Sequence, residues 1–329
     1  MTGPPLFSVP PRSLLLIKPG SMGDVIHALP VASAIYAAWP QTKVTWIVDP
    51  RWAPLLEGNP AVSSLCHFPR GSFKGVAGLA KAVVWYRDLD CLCPEVCVDL
   101  QGLLRSALMA RFSRAKRVVG LSDAREGASF FFDHLVPVVN NEHAVQRYLR
   151  SLPALGIPFP SEPSWVLPEG EPPSGCVMPE EAVVLHPFAR GAGKSMDEAA
   201  VYAFFNAFRS ISNKPLVVVG EGAGFSLPQG VLDLTGKTTL LQLIWILRRS
   251  SFVASVDSGP MHLASALARP LLSIHTWSDP RLVGPYGAGA WIWQGGGIRL
   301  RDPNEPPWPE VPFTAAASAE IGRFVAKNC

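Results

Sequence analysis

Between residues 158 and 179 the chain reads PFPSEPSWVLPEGEPPSGCVMP, seven prolines in 22 residues. Proline fixes φ and has no N–H to donate, so neither a helix nor an interior strand can run through such a stretch. Whatever folds on either side must bury its own core. The 329 residues then fall into two parts, each near the ordinary domain size of about 150 residues. The expected limits are 1–160 for a first domain, 161–180 for the linker, 181–312 for a second domain and 313–329 for a final segment holding an amphipathic helix over 315–327.

Both halves alternate in the same way. In the first, apolar runs at 13–17, 43–49, 95–100 and 116–121 read as strands, and periodic segments at 24–39, 51–57, 74–88, 103–112 and 143–155 read as helices. In the second, strands are expected at 182–186, 215–220, 231–234, 252–256 and 270–275, with helices at 197–211, 239–249 and 259–268. Strands this uniformly apolar belong to parallel sheets covered on both faces. The expected class is therefore α/β, two Rossmann-like doubly wound domains, with ligands held beyond the carboxyl ends of the strands in a cleft between the two.

Composition narrows the function. Apolar residues make up 48% and charged residues 17%, a globular balance, and a net charge of +3 is too weak to point to nucleic acid. Basic residues cluster at Arg105, Arg111, Arg114, Lys116 and Arg117; the patch suits an acidic substrate or an anionic membrane surface, or is simply a solvated helix face. The six cysteines (66, 91, 93, 97, 176 and 329) lack C-x-x-C pairs, so no structural metal is expected and reduced cytoplasmic thiols fit best. No apolar run is long enough for a signal peptide or a transmembrane segment.

Two strand–turn–helix units carry candidate chemistry. In SFVASVDSGPMHLASALA (251–268), Asp257-Ser258-Gly259 turns the chain into a helix that Pro260 can enter without needing an N–H. The open N–H groups of that helix, with Gly259 allowing close approach, suit a phosphate; the plain alternative is that Asp257 and Ser258 are caps and His262 a core histidine. In SLLLIKPGSMGDVIHALPVASAI (13–35), Asp24 lies at the mouth of the presumed cleft as a general base for an acceptor hydroxyl, or as the N-cap of its helix. A capping carboxylate would be a weaker base. Neither Gly20-Ser-Met-Gly23 nor Gly220-Glu-Gly222-Ala-Gly224 fits G-x-G-x-x-G, and there is no P-loop. Lys194 and Arg190, on one loop, can neutralise a diphosphate, and Glu221 can accept from a ribose or base; solvated charge is the alternative for each. Arg105, Arg125, His143 and Arg147 can form an acidic-acceptor site, or are surface charge.

Taken together, KPGSMGDVIHALPVASAI, PRWAPLLEGNP, VDLQGLLRSALMA, GLSDAREGAS, HAVQRYL, LHPFARGAGK, DLTGKTTLLQL, SVDSGPMHLASAL and DPRLVGPYG resemble the ADP-heptose:lipopolysaccharide heptosyltransferases, in family order over nearly the whole chain, with DLQGL, REGAS and HAVQR closest to heptosyltransferase I. The resemblance implies the GT-B fold, a C-terminal helix (313–329) packed back on the N-terminal domain, and inverting transfer of heptose from ADP-heptose to the Kdo of a Kdo-lipid A acceptor, with no metal or other cofactor. It implies Asp24 as the catalytic base; Arg190, Lys194, Glu221, Asp257, Ser258, Gly259 and His262 around the donor; and Gly23, Arg105, Arg125 and Arg147 around the acceptor. It also implies a cytoplasmic enzyme, peripheral to the inner membrane. Three places depart from the family pattern: Phe188-Ala189, Met196-Asp197 and His275-Thr276-Trp277. They leave open a related enzyme for another nucleotide sugar or a non-lipid acceptor, or an inactive sugar-nucleotide-binding protein.

Overall fold

A computed structural model describes residues 6–191, 193–222, 225–287, 289–302, 304, 306, 308, 309 and 311–329; Gly224 of the second glycine-rich loop lies outside these. The chain divides at Pro168/Glu169 into two units.

The first unit holds a six-stranded parallel sheet of β1 (Ser13–Ile17), β2 (Lys43–Val48), β3 (Ser64–His67), β4 (Val96–Asp99), β5 (Val118–Leu121) and β6 (His134–Val136), in the order β3-β2-β1-β4-β5-β6. Leu14, Leu15, Leu16 and Ile17 are all buried, so β1 is covered on both faces, as its unbroken apolar run requires. Its helices are α1 (Met22–Ala38), α2 (Gly75–Asp88), α3 (Leu104–Phe112), α4 (Ala144–Leu149) and α5 (Ser151–Leu155). The last two were expected as one helix. Pro153 can neither donate to the Leu149 carbonyl four residues back nor avoid it sterically, and the helix breaks at Arg150. The 51–57 helix is a single 3-10 turn at Ala53–Leu55.

The second unit has seven strands: β7 (Val183–His186), β8 (Leu216–Gly220), β9 (Val231–Thr235), β10 (Phe252–Val256), β11 (Leu271–Ile274), β12 (Trp291–Gln294) and β13 (Gly297–Leu300), ordered β13-β12-β11-β10-β7-β8-β9. All neighbours are parallel except β12 and β13, which form a hairpin. Gly295 and Gly296 make its two-residue turn, both at positive φ (61° and 80°), the conformation that matches the twist of a tight hairpin. The helices are α6 (Glu198–Arg209), α7 (Leu240–Arg249), α8 (Gly259–Ala266), α9 (Pro280–Val283) and α10 (Ala315–Asn328).

Each sheet repeats the doubly wound order, and each has one place where consecutive connections run off in opposite directions. In the first this lies between β1 and β4; in the second, between β7 and β10. Ligands of such sheets bind beyond the strand ends at that point.

The proline-rich stretch forms neither helix nor strand. Its first half is fastened to the first unit, where Trp165 Nε1 donates to the Ile26 carbonyl (2.9 Å) and Asn59 Nδ2 to that of Val166 (3.0 Å). Its second half belongs to the second unit, with Glu171 N–H donating to the Leu241 carbonyl at 3.1 Å.

Within the second unit the C-terminal helix α10 packs along α6. Ile321 and Val325 are fully buried in one cluster with Phe204 and Phe208, and Ser318 Oγ donates to the Ala200 carbonyl at 2.6 Å. Gly322 permits this approach: a Cβ there would lie 2.4 Å from the Phe204 carbonyl oxygen, which belongs to the backbone and cannot step aside. Gly322→Val is expected to lower the stability of this unit by about 1–3 kcal/mol through overpacking, read as a fall in the denaturation midpoint.

Candidate functional site

The switch point of the first sheet holds a buried ion pair. Lys18 follows β1 directly and is only 3% exposed. Its Nζ lies 3.3 Å from Asp24 Oδ1, donates to the Leu100 carbonyl at 3.5 Å, and sits 4.8 Å from the centre of the Tyr148 ring. Burial alone would favour its neutral form, but Tyr148 and Asp24 outweigh that and raise its pKa.

Asp24 was expected as the N-cap of its helix; the structure corrects this. Helix α1 starts two residues earlier, Ser21 is the N-cap, and Asp24 occupies the third helical position. Its Oδ2 accepts from the Ser21 backbone N–H (2.9 Å) and from Ser21 Oγ (3.0 Å), the reciprocal half of a capping box. Its Oδ1 accepts from the Tyr148 hydroxyl at 3.0 Å and faces Lys18. Burial pushes the carboxyl pKa up, yet Lys18, Ser21 and Tyr148 prevail and hold it below the ordinary range. Asp24 is thus an anion at neutral pH, and 37% of its side chain remains open. Gly23 lies beside it, buried in the first turn of α1.

Asp99, at the end of the neighbouring strand β4, is fully buried. Its Oδ1 accepts from the backbone N–H groups of Gln101 (2.8 Å) and Gly102 (3.0 Å). Burial nevertheless raises its pKa to about 6, against the pull of those N–H groups, Ser106 and Lys18.

The arginines around this centre differ in what they offer. Arg147 Nε and Nη2 grip Asp123 at 2.6 and 2.8 Å, and the guanidinium lies 5.2 Å from the Tyr148 ring centre, so it is fixed next to Asp24's phenol partner. Arg125 is exposed, on a turn tied by its own N–H to the Gly102 carbonyl at 2.8 Å, just past Asp99. Arg105 stands in the first turn of α3, beside Tyr86. Arg105 and Arg125 have no ion pair among the described residues. His143 is the N-cap of α4, its Nδ1 accepting from Val145 N–H at 3.2 Å, a local structural role.

The switch point of the second sheet holds a different cluster. Asp257 follows β10, and Lys194 comes from the loop after β7; Lys194 Nζ donates to Asp257 Oδ2 at 2.8 Å and lies 4.2 Å from the Trp277 ring centre. Ser278 Oγ donates to the same oxygen at 2.7 Å. His275 continues the chain: fully buried, it contacts Ser278 Oγ through Nδ1 (3.0 Å) and Ser273 Oγ through Nε2 (3.1 Å). Because the Ser278 hydroxyl proton is committed to the carboxylate, Nδ1 carries the ring proton and Nε2 accepts. Burial lowers the His275 pKa to about 4, so the ring is neutral at pH 7. Burial also works against the Asp257 anion, but His275, Lys194, Ser278 and His262 keep its pKa below normal.

Ser258 is the N-cap of α8, yet its side chain does not cap. Its hydroxyl donates to the Val256 carbonyl (3.1 Å) and meets His186 Nδ1 (3.1 Å); His186 is itself kept neutral by burial, with a pKa of about 4. Helix α8 begins at Gly259 with Pro260 next, and the N–H groups of Met261 and His262 donate to the Ser258 carbonyl at 3.1 and 3.4 Å. His262 is buried in that helix. Arg190 and Glu221 are both exposed, on the loop after β7 and just past β8, without a side-chain bond to another described residue. The structure thus brings Lys194, Asp257, Ser258, Gly259 and His262 together.

Lys18, Asp99, Tyr148, His186, His275 and Ser278 did not stand out in the sequence as site residues. A signal existed for Lys18 and Asp99, charges placed at the end of wholly apolar strands. Among the described residues, no group of three or more His, Cys, Asp or Glu side chains is arranged to hold a metal ion, and no helix is long and apolar enough to cross a membrane.

Two doubly wound domains, each with a charged cluster past its switch point, define the chain as a GT-B protein. Residues 93–173 and 224–296 match the profile of glycosyltransferase family 9 (heptosyltransferase), and the chain belongs to that family. It is 25% identical over 298 residues to the lipopolysaccharide core heptosyltransferase OpsX of Haemophilus influenzae, covering 86% of this chain and 84% of that one. Lipopolysaccharide heptosyltransferase 1 of Pseudomonas aeruginosa is 28% identical over 303 residues, covering 83% and 81%. In structure the chain is similar to Escherichia coli heptosyltransferase WaaC with ADP, at a TM-score of 0.74 and 24% identity over 96% of this chain and 100% of that one.

Asp99 gives this site a pH signature. Its folded pKa of about 6 lies above the ordinary aspartate value of 3.8, so its contribution to stability is greatest below 3.8 and is lost as pH rises through 6. Asp99→Asn, which keeps the acceptor for Gln101 and Gly102, is expected to flatten the fall in stability between those limits, measured by urea denaturation across that pH range.

Proposed function

We propose that this chain is an inverting heptosyltransferase of lipopolysaccharide inner-core synthesis, moving heptose from ADP-heptose to the Kdo of a Kdo-lipid A acceptor. One observation carries the reading: in a family 9 chain, Asp24 stands ionised and partly open at the end of β1, held by Lys18, Ser21 and Tyr148. The names of similar proteins, lipopolysaccharide heptosyltransferases and a WaaC structure with ADP, support the choice of substrates.

In this mechanism the acceptor hydroxyl takes the place of the Ser21 Oγ–H at Asp24 Oδ2. Its oxygen attacks the anomeric carbon from the face opposite the diphosphate; the new C–O bond forms, the bond to the phosphate oxygen breaks, and the proton passes to Asp24. A carboxylate with a lowered pKa is a weak base, so the proton moves late, once attack has made the hydroxyl acidic. Lys18 and Tyr148 hold the carboxylate in place. Arg125, Arg105 and Gly23 are the acceptor-side residues, and Arg147, locked to Asp123, sets the position of Tyr148.

The donor belongs to the second unit. Lys194 has three N–H donors, of which Asp257 takes one, leaving donors for the diphosphate while Trp277 fixes the ammonium from one side. The first turn of α8 supplies the Gly259 N–H, since Pro260 has none and those of Met261 and His262 donate to the Ser258 carbonyl, together with the positive end of a helix dipole. Arg190 adds an exposed cation and Glu221 an acceptor for the ribose or base; Asp257, Ser258 and His262 shape the pocket floor. These groups balance the charge of departing ADP without a metal ion. The enzyme works at the cytoplasmic face of the inner membrane, where its lipid acceptor lies.

The test is ADP release from ADP-heptose with and without a Kdo-lipid A acceptor. Asp24→Asn is expected to cut acceptor-dependent turnover by about 10²–10⁴-fold while ADP still binds, and Lys194→Ala to weaken ADP binding by about tenfold or more, with Lys194→Arg recovering part of it. ADP binding with no turnover of wild type on any acceptor would overturn the enzymatic reading in favour of a binding protein. In the same assay EDTA is expected to leave the rate unchanged; a collapse restored by a divalent ion would overturn the metal-free step.

A further inference from the structure

Helix α2 has its apolar residues on the wrong side. A helix on the flank of a sheet turns its apolar stripe inward and its charges to water. In α2 the inward side is made by Gly78, Trp85 and Tyr86: a Cβ on Gly78 would meet the Phe73 backbone at 2.4 Å, and Trp85 Nε1 donates to the His67 carbonyl at 2.8 Å. The opposite side carries Val76, Leu79 and Val83, spaced three and four apart on one face and 91%, 65% and 62% exposed. Val84 adjoins them, also exposed. The helix thus has a second apolar stripe that its own unit leaves bare.

The charges around this stripe are mostly of one sign, with Asp88 at the end of the helix the exception. From Arg70 to Arg87, 18 residues hold four cations, Arg70, Lys74, Lys81 and Arg87, and no acidic residue; all four are exposed. Arg87 makes a loose pair with Asp88 at 3.7 Å, just beyond the segment. The neighbouring helix α3 extends the surface. Phe112 is exposed and packs edge-on against Tyr86 with ring centres 5.7 Å apart, and Arg111 beside it is exposed as well. The basic patch noted in the sequence therefore continues around an apolar ridge.

From these features we infer that the outer face of α2 docks on a bilayer surface rich in anionic lipid, with Val76, Leu79 and Val83 entering the headgroup boundary and Arg70, Lys74, Lys81 and Arg111 meeting the phosphates. An apolar stripe flanked by cations is what an interfacial helix needs: the apolar area supplies attachment, and each basic residue adds attraction to a negative surface. A second copy of the chain fits less well, since it would bring the same cations against each other. The inference rests on the lipid acceptor proposed above only for its biological setting; the surface itself is there whatever the donor.

The test is co-sedimentation of the full chain with vesicles of phosphatidylcholine alone or mixed with phosphatidylglycerol, beside analytical ultracentrifugation without lipid. Wild type is expected to bind the mixed vesicles and not the neutral ones, and to release at high salt. Leu79→Gln with Val83→Gln should weaken binding by about tenfold or more, the two side chains each losing part of their burial, without changing the unfolding midpoint. Lys74→Gln with Lys81→Gln should weaken it and reduce the salt dependence. No binding to mixed vesicles at low salt, binding unaffected by the apolar pair, or a wild-type dimer abolished by that pair would each overturn the assignment. ADP release with a water-soluble Kdo acceptor separates this from the catalytic proposal: the apolar pair should leave that rate unchanged, and vesicle binding by a chain that turns nothing over would sink the reaction while the docking face stands.

Discussion

A parallel strand covered on both faces has no room for a charge along its length, so the charges of this chain gather where the strands end. Lys18 comes one residue after β1, Asp99 is the last residue of β4, and Asp257 comes one residue after β10. At the switch points no crossing connection overlies those ends, and the charges can pair with each other and still reach a ligand. Burial then decides their character. It would neutralise Lys18, Asp24 and Asp257 singly, and does not because each has a partner of opposite sign; Asp99, with two backbone N–H groups but a more distant cation, is the one that gives way.

The two clusters solve different problems with similar parts. Around Asp24 a carboxylate is held ionised, accessible and correctly turned by a buried lysine and a phenol. Around Lys194 an ammonium is held by a carboxylate whose own orientation passes back through Ser278 and a neutral His275 to Ser273. The departure from the family pattern at His275-Thr276-Trp277 is therefore a working part of this cluster: His275 supports Asp257 and Trp277 lies against Lys194.

What could be read from the sequence follows from how local each signal is. β1 and β10 are legible to the residue because their runs are largely apolar and end in turn residues. β3, β6, β12 and β13 are not, being strands of three or four residues at or near sheet edges, where half-exposed sequences such as SLCH and HLV carry no period. Asp24 was legible as a carboxylate after a strand, but its partner Tyr148 lies 124 residues away and shows itself only in the fold. Lys194 and Asp257 read as separate features in the sequence, and a separation of 63 positions hides that they form one ion pair. The packing of α10 on α6 depends on Gly322 and the facing phenylalanines, a fit that helical periodicity does not encode.

The hairpin of β12 and β13 bears on how the second sheet stops growing. A parallel edge offers its unpaired N–H and C=O groups to any chain that can extend alongside, which is how sheets recruit strangers. Here the outermost strand is short, runs the other way, and carries Arg299 with its guanidinium 4.1 Å from the Trp308 ring centre. A short strand of reversed direction with a charged side chain makes that border a poor template for a further strand, and the two glycines at 295 and 296 are what let the chain turn back to form it.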